Sequence, residues 1–379
     1  MNLLAARATR SPIGLDLGTR AIKAAQGVRG RHGFRVTASV SLARLDTGPA
    51  LSARDAERLG PALVRAGFRG RTLAAALPSE LTLHANIDLP ARGSKAPLDE
   101  IAASELARAS RAGAADLVCA HWPIATAPAG EACPSRAVGA ELTRIQALLD
   151  SLEQVKPGAG PLVPLALDTG PWALVRCLAP WLGEHEDVTV IADVGWRRCA
   201  LTIVHGRRII YDRLAPGIGL EPLREAIARD LAASPEAVDR LLQRLEDGSA
   251  PDVAGEIARA AVRRQGGQLA QEVERSLRFA AEMGARGAYR LILVGGGASA
   301  AMAEAVTPPL EGLAEVRRAT PADLVGCPAG WPAAPRREAA EDAASGSDPA
   351  QPTRHGVAGH PGADPGLLCA IGLAMRMDR

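Results

Sequence analysis

The stretch IGLDLGTR at residues 13–20 returns in similar form as VIADVGWR at residues 190–197. Each reads as an apolar strand that ends in aspartate, an aliphatic residue and a glycine, followed by a turn. Asp16 and Asp193 are separated by about the length of one domain. A pattern repeated at that distance predicts two copies of one domain plan.

The repeated pattern also predicts a chemistry. Gly18 and Gly195 allow a hairpin backbone to approach an anion with its N–H groups pointing inward. An aspartate at the mouth of each strand suits a hydrated Mg2+ beside phosphates. The triple glycine at 295–297 follows a short apolar strand and precedes a helix. We therefore expect a nucleotide between two domains, with a hairpin on each side and the glycine loop at its adenosine.

The periodicity of apolar residues predicts the same order of elements in both halves. Three strands that begin antiparallel are expected near 13–17, 21–28 and 34–42, followed by a helix at 52–66 and a strand at 73–77. The second half repeats this with strands near 188–192, 199–204 and 208–211, helices up to residue 283 and a strand at 291–294.

Changes in texture predict the domain organisation. The fold class expected is α/β, with two domains built on a duplicated βββαβα plan and a small inserted subdomain. We expect a first domain at 1–77 that resumes at 161–186, an inserted α/β subdomain at 78–160, a second domain at 187–327, a disordered Pro/Ala-rich loop at 328–365 and a returning C-terminal helix at 366–379.

Composition excludes several classes of function. The chain of 379 residues has 44 basic and 42 acidic residues, so its net charge of +2 argues against a nucleic-acid surface or a polybasic membrane patch. No window has the roughly 18 clean apolar residues of a spanning helix, and the start lacks the apolar run of a signal peptide. The six cysteines are scattered without a C-x-x-C pair. These features predict a soluble, cytoplasmic protein with reduced thiols.

The order and spacing of the motifs resemble one family. IGLDLGTRAIKAAQ and the second hairpin resemble the phosphate motifs of the actin/Hsp70/sugar-kinase superfamily. Within it the chain is most similar to PilM-type pilus-assembly proteins, relatives of the cell-division protein FtsA. Further similar stretches are NIDLPARGSKAPLDEIAASELARA, LDTGPWALVRCL, HGRRIIYDRLAPGIG, EVERSLRFA, LILVGGGAS and LLCAIGLAMR. The likeness covers nearly the whole chain apart from 328–365.

The resemblance implies an actin-like (ribonuclease H-like) fold that binds ATP and Mg2+. By position, it implies a first phosphate loop with Asp16, Gly18, Thr19 and Lys23, a second with Asp193 and Gly195, a turn with Gly217 and Gly219, and an adenosine loop with Gly295, Gly296 and Gly297. Asp16 and Asp193 would hold the metal. Ordinary readings remain beside these: Lys23 as a solvent-facing edge-strand lysine, and the triple glycine as tight strand–helix packing.

The second phosphate motif departs from the family pattern. Small residues and hydroxyls usually follow its D-x-G, whereas this chain has Trp196, Arg197, Arg198 and Cys199. A Trp here would fill the phosphate space or re-aim the hairpin, while arginines still neutralise phosphate. The helix SPEAVDRLLQ also lacks the Glu…Lys pair that often holds the ribose. These departures favour nucleotide binding with a weak or lost ATPase.

Three functions follow from these observations. The resemblance implies a pilus-assembly scaffold that captures the cytoplasmic N-terminal tail of a membrane-anchored, PilN-like protein, which would hold it at the inner face of the cytoplasmic membrane. Strand edges at 81–89 and 117–124 of the insertion would receive such a tail. The alternatives are a small-molecule (sugar-type) kinase, for which the sequence offers no convincing general base, and a nucleotide-free adaptor. Self-association is compatible with each.

Overall fold

A six-stranded and a five-stranded sheet form the body of the molecule, and five strands of the first have the same order and directions as the five of the second. The computed structural model describes residues 9–30, 33–91, 94–110, 116–124, 128, 130–158, 160–183, 187–324 and 365–376. The first sheet runs in the order β4-β3-β2-β5-β9, with the short β1 also paired to β3, and the second in the order β12-β11-β10-β13-β14. In both, the first three strands are antiparallel and the remaining ones parallel.

The strands of the first sheet are β1 (Thr9–Arg10), β2 (Ile13–Leu17), β3 (Ala21–Gly30), β4 (Gly33–Ala43), β5 (Thr72–Leu77) and β9 (Val163–Thr169). Those of the second sheet are β10 (Val188–Val194), β11 (Arg198–His205), β12 (Arg208–Pro216), β13 (Tyr289–Val294) and β14 (Leu313–Arg318). The predicted duplication is therefore confirmed at the level of sheet topology.

Two helices fill the space between the sheets. Helices α4 (Gly170–Leu178) and α10 (Leu368–Ala374) share one apolar core with residues of both sheets, among them Ala74 and Ile191. A Cβ on Gly372 would overlap the Ala173 carbonyl, so the two helices pack backbone against backbone. The end of the chain thus returns to the first sheet and lies between the domains.

The remaining helices cover the outer faces. They are α1 (Ala53–Arg65), α3 (Leu142–Glu153), α5 (Leu220–Leu231), α6 (Pro235–Glu246), α7 (Val253–Glu282), α8 (Ala300–Val306) and α9 (Pro321–Leu324). Ser52, Ser234, Asp252 and Ser299 cap four of them through side-chain oxygens that accept backbone N–H groups, as expected for these residue types.

A separate three-stranded sheet lies between β5 and β9 in the chain. Its order is β6 (Leu83–Leu89), β8 (Cys133–Glu141) and β7 (Leu117–Pro123), and α2 (Leu98–Ser110) packs on one face. The predicted subdomain, 78–160, also includes α3. Leu148 and Leu152 of that helix are fully buried in the core of the first domain. We therefore propose that the separable unit ends at β8.

Two further expectations concern the absence of a membrane-spanning helix and the disordered loop. No helix within the described ranges is both long and apolar enough to cross a membrane. The predicted disordered loop, 328–365, lies outside the described residues except for its last residue.

Candidate functional site

The first hairpin, residues 17–22, joins β2 to β3 at the cleft between the domains. Asp16 lies opposite Lys23 in the register of the two strands, and Leu17 lies opposite Ile22. A Cβ on Gly18 would lie 3.0 Å from the Ala21 carbonyl oxygen, so the turn is tight at that position. Apart from Leu17, the residues it offers to the cavity are small or polar.

The second hairpin, residues 194–199, has the same backbone shape. Asp193 lies opposite Ala200, so the strand position that holds Lys23 in the first hairpin holds alanine here. The Gly195 N–H donates to the Arg198 carbonyl at 3.0 Å, and a Cβ on Gly195 would lie 3.0 Å from that oxygen. The presence of Trp196 has therefore not changed the backbone shape of the hairpin.

A cavity of about 910 Å3 lies between the hairpins, and both contribute to its wall. Its volume is within the range of ligand pockets. Eight of the eleven predicted binding residues line it: Asp16, Gly18, Thr19, Lys23, Asp193, Gly195, Gly295 and Gly296.

Three predicted residues do not line the cavity but shape its wall. A Cβ on Gly219 would lie 2.6 Å from the Trp196 carbonyl oxygen, so this glycine allows α5 to begin against the second hairpin. Gly297 donates its N–H to the Val194 carbonyl at 2.8 Å. Gly217 adopts φ 78° in the turn before α5. Their role is to bring backbone segments together.

The N-terminus of α5 is already used by the protein itself. The N–H groups of Leu220 and Glu221 donate to the carbonyls of Gly195 and Trp196, at 3.0 and 2.7 Å. These donors hold the second hairpin against the helix, so they are not available to a bound anion.

Trp196 lies across the cleft rather than pointing into solvent. Its indole N–H donates to Glu221 Oε1 at 2.9 Å. The guanidinium groups of Arg20, from the first hairpin, and Arg224, from α5, lie 4.7 and 5.0 Å from its ring centroid. This cation–π geometry ties the two domains together beside the phosphate hairpins.

Arg197 and Arg198 are paired as well. Arg197 Nε donates to Glu221 Oε2 at 2.8 Å, and Arg198 Nη2 lies 3.1 Å from Oε1 of Glu80, in the segment between β5 and β6. Burial raises the pKa of Glu221, but the hydrogen bonds from Arg197 and Trp196 outweigh this, and its pKa is lowered. Glu221 is therefore a fixed anion behind the second hairpin.

The two aspartates suit a hydrated Mg2+. Asp16 and Asp193 reach the same cavity from opposite domains, and Mg2+ is usually held by one or two carboxylates, waters and phosphates. Burial raises the pKa of Asp193, and the charge of Lys23 partly offsets that rise. Among the described residues no group of three or more His, Cys, Asp or Glu side chains forms a closed metal site. The donor set fits a metal that arrives with phosphates.

The contact between the inserted sheet and the second domain, part of which lies in the cavity wall, consists of residues that sequence reasoning missed. His84 of β6 and Arg136 of β8 meet Asp212 of β12, with His84 Nδ1 2.7 Å and Arg136 Nε 2.9 Å from the carboxylate. Trp122 of β7 donates its indole N–H to the Ile209 carbonyl at 2.8 Å. The inserted sheet is thereby joined to the second domain. These residues carry no local motif, and only the three-dimensional fold brings them together.

These features define the class of the molecule. Two duplicated α/β domains, with a hairpin from each at one cleft and the chain's last helix between the sheets, form the actin-like fold predicted from the sequence, which is confirmed.

Comparison with solved structures agrees with that class. The chain is similar to a chain of a PilM-PilN type IV pilus biogenesis complex, with a TM-score of 0.70 and 22% identity over 96% of this chain and 98% of that one. It is also similar to the ethanolamine utilization protein EutJ from Carboxydothermus hydrogenoformans, at 13% identity, 83% and 87% coverage and a TM-score of 0.49. The chain is likewise similar to Ta0583, an archaeal actin homolog, at 13% identity over 83% of this chain and 94% of that one, with a TM-score of 0.46. No protein-family model and no curated protein matches the sequence.

Proposed function

We propose that this protein is an ATP-binding, actin-like scaffold of type IV pilus assembly. In this role it binds the cytoplasmic tail of a membrane-anchored, PilN-like protein and turns over ATP weakly or not at all. The observation that carries the nucleotide part is the cavity with both hairpins and the glycine loop in its wall. The partner is supported by the likeness to the PilM-PilN chain across nearly the full length of both chains.

The two hairpins would contribute unequally to a nucleotide. Asp16, Thr19 and Lys23 line the cavity with groups that suit Mg2+ and phosphate. The second hairpin contributes Asp193, while Trp196, Arg197 and Arg198 are held by protein partners. Because those side chains already contact other residues, the second hairpin would bound the nucleotide site without supplying further catalytic groups. This favours nucleotide binding over hydrolysis.

The tail of a partner would bind at an edge of the inserted sheet. β7 is an edge strand, and its Val118 and Ala120 are exposed while the alternate residues are half-buried. An extended peptide added to such an edge gains main-chain hydrogen bonds, and alternate side-chain contacts give specificity. Bound to the tail, the protein would lie at the inner face of the cytoplasmic membrane.

A thermal-shift experiment tests the nucleotide part. Mg·ATP at about 100 times its Kd would raise the free energy of unfolding by about 2.7 kcal/mol. We expect Asp16→Ala and Asp193→Ala each to abolish the rise in Tm, and the exposed Asp187→Ala to retain it. An unchanged Tm of the parent protein at millimolar ATP would contradict nucleotide binding and favour the nucleotide-free adaptor.

A peptide titration tests the partner part. A synthetic copy of the cognate partner's cytoplasmic tail is expected to bind in the micromolar range or tighter. Val118→Lys on β7 should weaken binding at least tenfold, whereas Val64→Lys, on an equally exposed position of α1, should not. If Leu165→Lys on the edge strand β9 weakens binding and Val118→Lys does not, the tail binds to the first sheet instead.

A further inference from the structure

A hydroxyl, an imidazole and a carboxylate follow one another along the wall of the cavity. Thr82 Oγ1 lies 2.8 Å from His84 Nε2, and His84 Nδ1 lies 2.7 Å from Asp212 Oδ2. All three residues line the same cavity as the phosphate hairpins. This order of groups is the one that makes a hydroxyl nucleophilic, because the imidazole accepts its proton and the carboxylate stabilises the imidazolium that forms.

The carboxylate is held as an anion. Arg136 donates through Nε to Asp212 Oδ1 at 2.9 Å and through Nη2 to its backbone carbonyl at 2.8 Å, while Nη1 donates to Asn86 at 2.8 Å. Burial raises the pKa of Asp212, but the His84 contact and the Arg136 charge outweigh it, so its pKa is lowered. Asp212 therefore presents a carboxylate to His84 Nδ1 at 2.7 Å.

The line of groups is close to the phosphate hairpins. Asp193 of β10 pairs with Ala200 of β11, and Ala200 pairs with Leu214 of β12. Asp212 is two residues from Leu214 on β12, and both lie on the same face of the sheet. Two strand spacings and two residues place the Cα atoms of Asp193 and Asp212 about 12 Å apart. Glu80, two residues before Thr82, contacts Arg198 of the second hairpin. Thr82 therefore lies in the wall of the same cavity, two residues from a side chain that contacts the second hairpin.

We propose that Thr82 is a phosphoryl acceptor, modified by the nucleoside triphosphate bound in the same cleft, and this rests on the proposed nucleotide binding. Thr82 Oγ1 forms a bond to the γ-phosphorus, the bond from that phosphorus to the β,γ-bridging oxygen breaks, and the diphosphate leaves with the electron pair. The hydroxyl proton goes to His84 Nε2. His84 is the general base, Asp212 is a positioning residue, and no water is consumed.

The competing explanation is that His84, Arg136 and Asp212 only dock the inserted sheet onto the second domain. In that case Thr82 is a passive neighbour whose hydroxyl donates to the Ser79 carbonyl at 3.1 Å. Both explanations predict that these residues stabilise the protein, but only the proposal predicts a phosphoryl group on Thr82. The test must therefore measure the modification of Thr82.

Intact-protein and peptide mass spectrometry after incubation of the full chain with Mg·ATP makes that test. We expect one phosphoryl group on Thr82 in the parent and in Ser79→Ala, which removes another hydroxyl of the same cavity, and on the serine of Thr82→Ser. Thr82→Val should lose the modification, and His84→Gln should slow it by about 100-fold or more. The Mg·ATP thermal shift is measured on every variant, and it should persist in Thr82→Val.

The outcomes separate this proposal from the nucleotide site. A parent protein that shows the thermal shift but carries no phosphate on Thr82, or a His84→Gln variant modified at the parent rate, overturns the phosphoryl acceptor and leaves the nucleotide site intact. Absence of the thermal shift overturns both.

A second readout needs no nucleotide. The 15N NMR signals of the His84 ring should show a proton on Nδ1, and the Nε2 signal should move in Thr82→Val. A proton on Nε2 in the neutral ring would overturn the assignment of His84 as the base.

Discussion

The two hairpins have one backbone and two chemistries. In both hairpins a Cβ added to the glycine would lie 3.0 Å from the carbonyl oxygen of the third residue after it, which is Ala21 after Gly18 and Arg198 after Gly195. In the first hairpin, Thr19, Arg20 and Lys23 surround that turn. In the second, Trp196 replaces Thr19, an arginine replaces Ala21 and Ala200 replaces Lys23. Trp196, Arg197 and Arg198 contact Glu221 of α5, Arg20 and Glu80.

The difference shows how a duplicated site diverges. The backbone shape is retained because it builds the sheet and the domain boundary, whereas the side chains are free to change. In this protein the first hairpin offers Thr19 and Lys23 to the cavity, and the second is held by contacts to α5 and to Arg20 of the first hairpin. The predictions below test that division.

The largest expected effect separates two ion pairs, one that joins the inserted sheet to the second domain and one at the second hairpin. Arg136 and Asp212 have side chains only 3% and 7% exposed, whereas Arg197 is 46% and Glu221 28% exposed. Asp212→Asn strands a buried guanidinium and should lower the free energy of unfolding by about 3–5 kcal/mol. Glu221→Gln at the second hairpin should cost about 1 kcal/mol or less. Urea unfolding of both variants measures the two losses of stability. Equal losses would mean that the buried pair contributes no more to stability than the exposed pair at the second hairpin.

The same pair predicts a pH dependence. Because the folded-state pKa of Asp212 is lowered, its contribution to stability is fully present above its unfolded value of about 3.9 and is lost as pH falls through the lower folded value. The stability difference between the parent and Asp212→Asn should therefore shrink in acid. A difference that stays constant down to pH 2 would show that the charge of Asp212 is not responsible.

A smaller effect is expected at the glycine loop behind the second hairpin. Gly295 has φ 89°, and a Cβ there would overlap Asp193 Oδ1 and lie 2.6 Å from the Val194 carbonyl oxygen. Gly295→Ala should cost about 1–3 kcal/mol. The matched control is Gly296→Ala, which meets no atom within 4 Å and should change stability by less than about 0.5 kcal/mol. Similar thermal unfolding of the two variants would refute the close fit of this loop.

The contact between the hairpins should be measurable as a coupling energy. A double-mutant cycle of Arg20→Ala and Trp196→Ala should give about 0.5–1 kcal/mol, typical of a partly exposed cation–π contact. The same cycle with Arg224 should give a similar value. Additive effects of Arg20 and Trp196 would mean that the hairpins do not hold each other across the cleft.

The smallest expected effect is a difference near zero. Gly18→Ala and Gly195→Ala bring a new Cβ equally close to a carbonyl, so each should destabilise by about 1 kcal/mol and the two values should agree within about 0.5 kcal/mol. Unequal costs would show that the two turns share a sequence pattern but not a backbone.

The parts of the fold that were predictable are those with local signals. Asp16, Asp193 and the glycines around them mark the turns directly, and the duplicated strand pattern followed from apolar periodicity. Strand β8 was not predicted, because CPSRAVGAE contains proline, glycine and arginine at the centre of a sheet. Its two neighbouring strands supply the pairing that its composition does not indicate.

The parts of the site that were missed depend on distant residues. Trp196 was predicted either to fill the phosphate space or to re-aim its hairpin. The hairpin backbone is unchanged, and Trp196 lies in the cavity wall against Arg20 and Arg224, a placement set by tertiary neighbours. His84 and Asp212 belong to different sheets and carry no shared motif. Such pairs become visible only after the inserted sheet is placed against β12.

The most direct test of the account exchanges the side chains that distinguish the hairpins. Mg·ATP is titrated calorimetrically into the parent, Thr19→Trp and Trp196→Thr, with Tm measured for each to confirm folding. If the first hairpin carries the phosphate chemistry and the second closes the cleft, Thr19→Trp loses binding by at least tenfold and Trp196→Thr binds as tightly as the parent or tighter. Equal loss of affinity in both variants, or binding retained in Thr19→Trp, would contradict it.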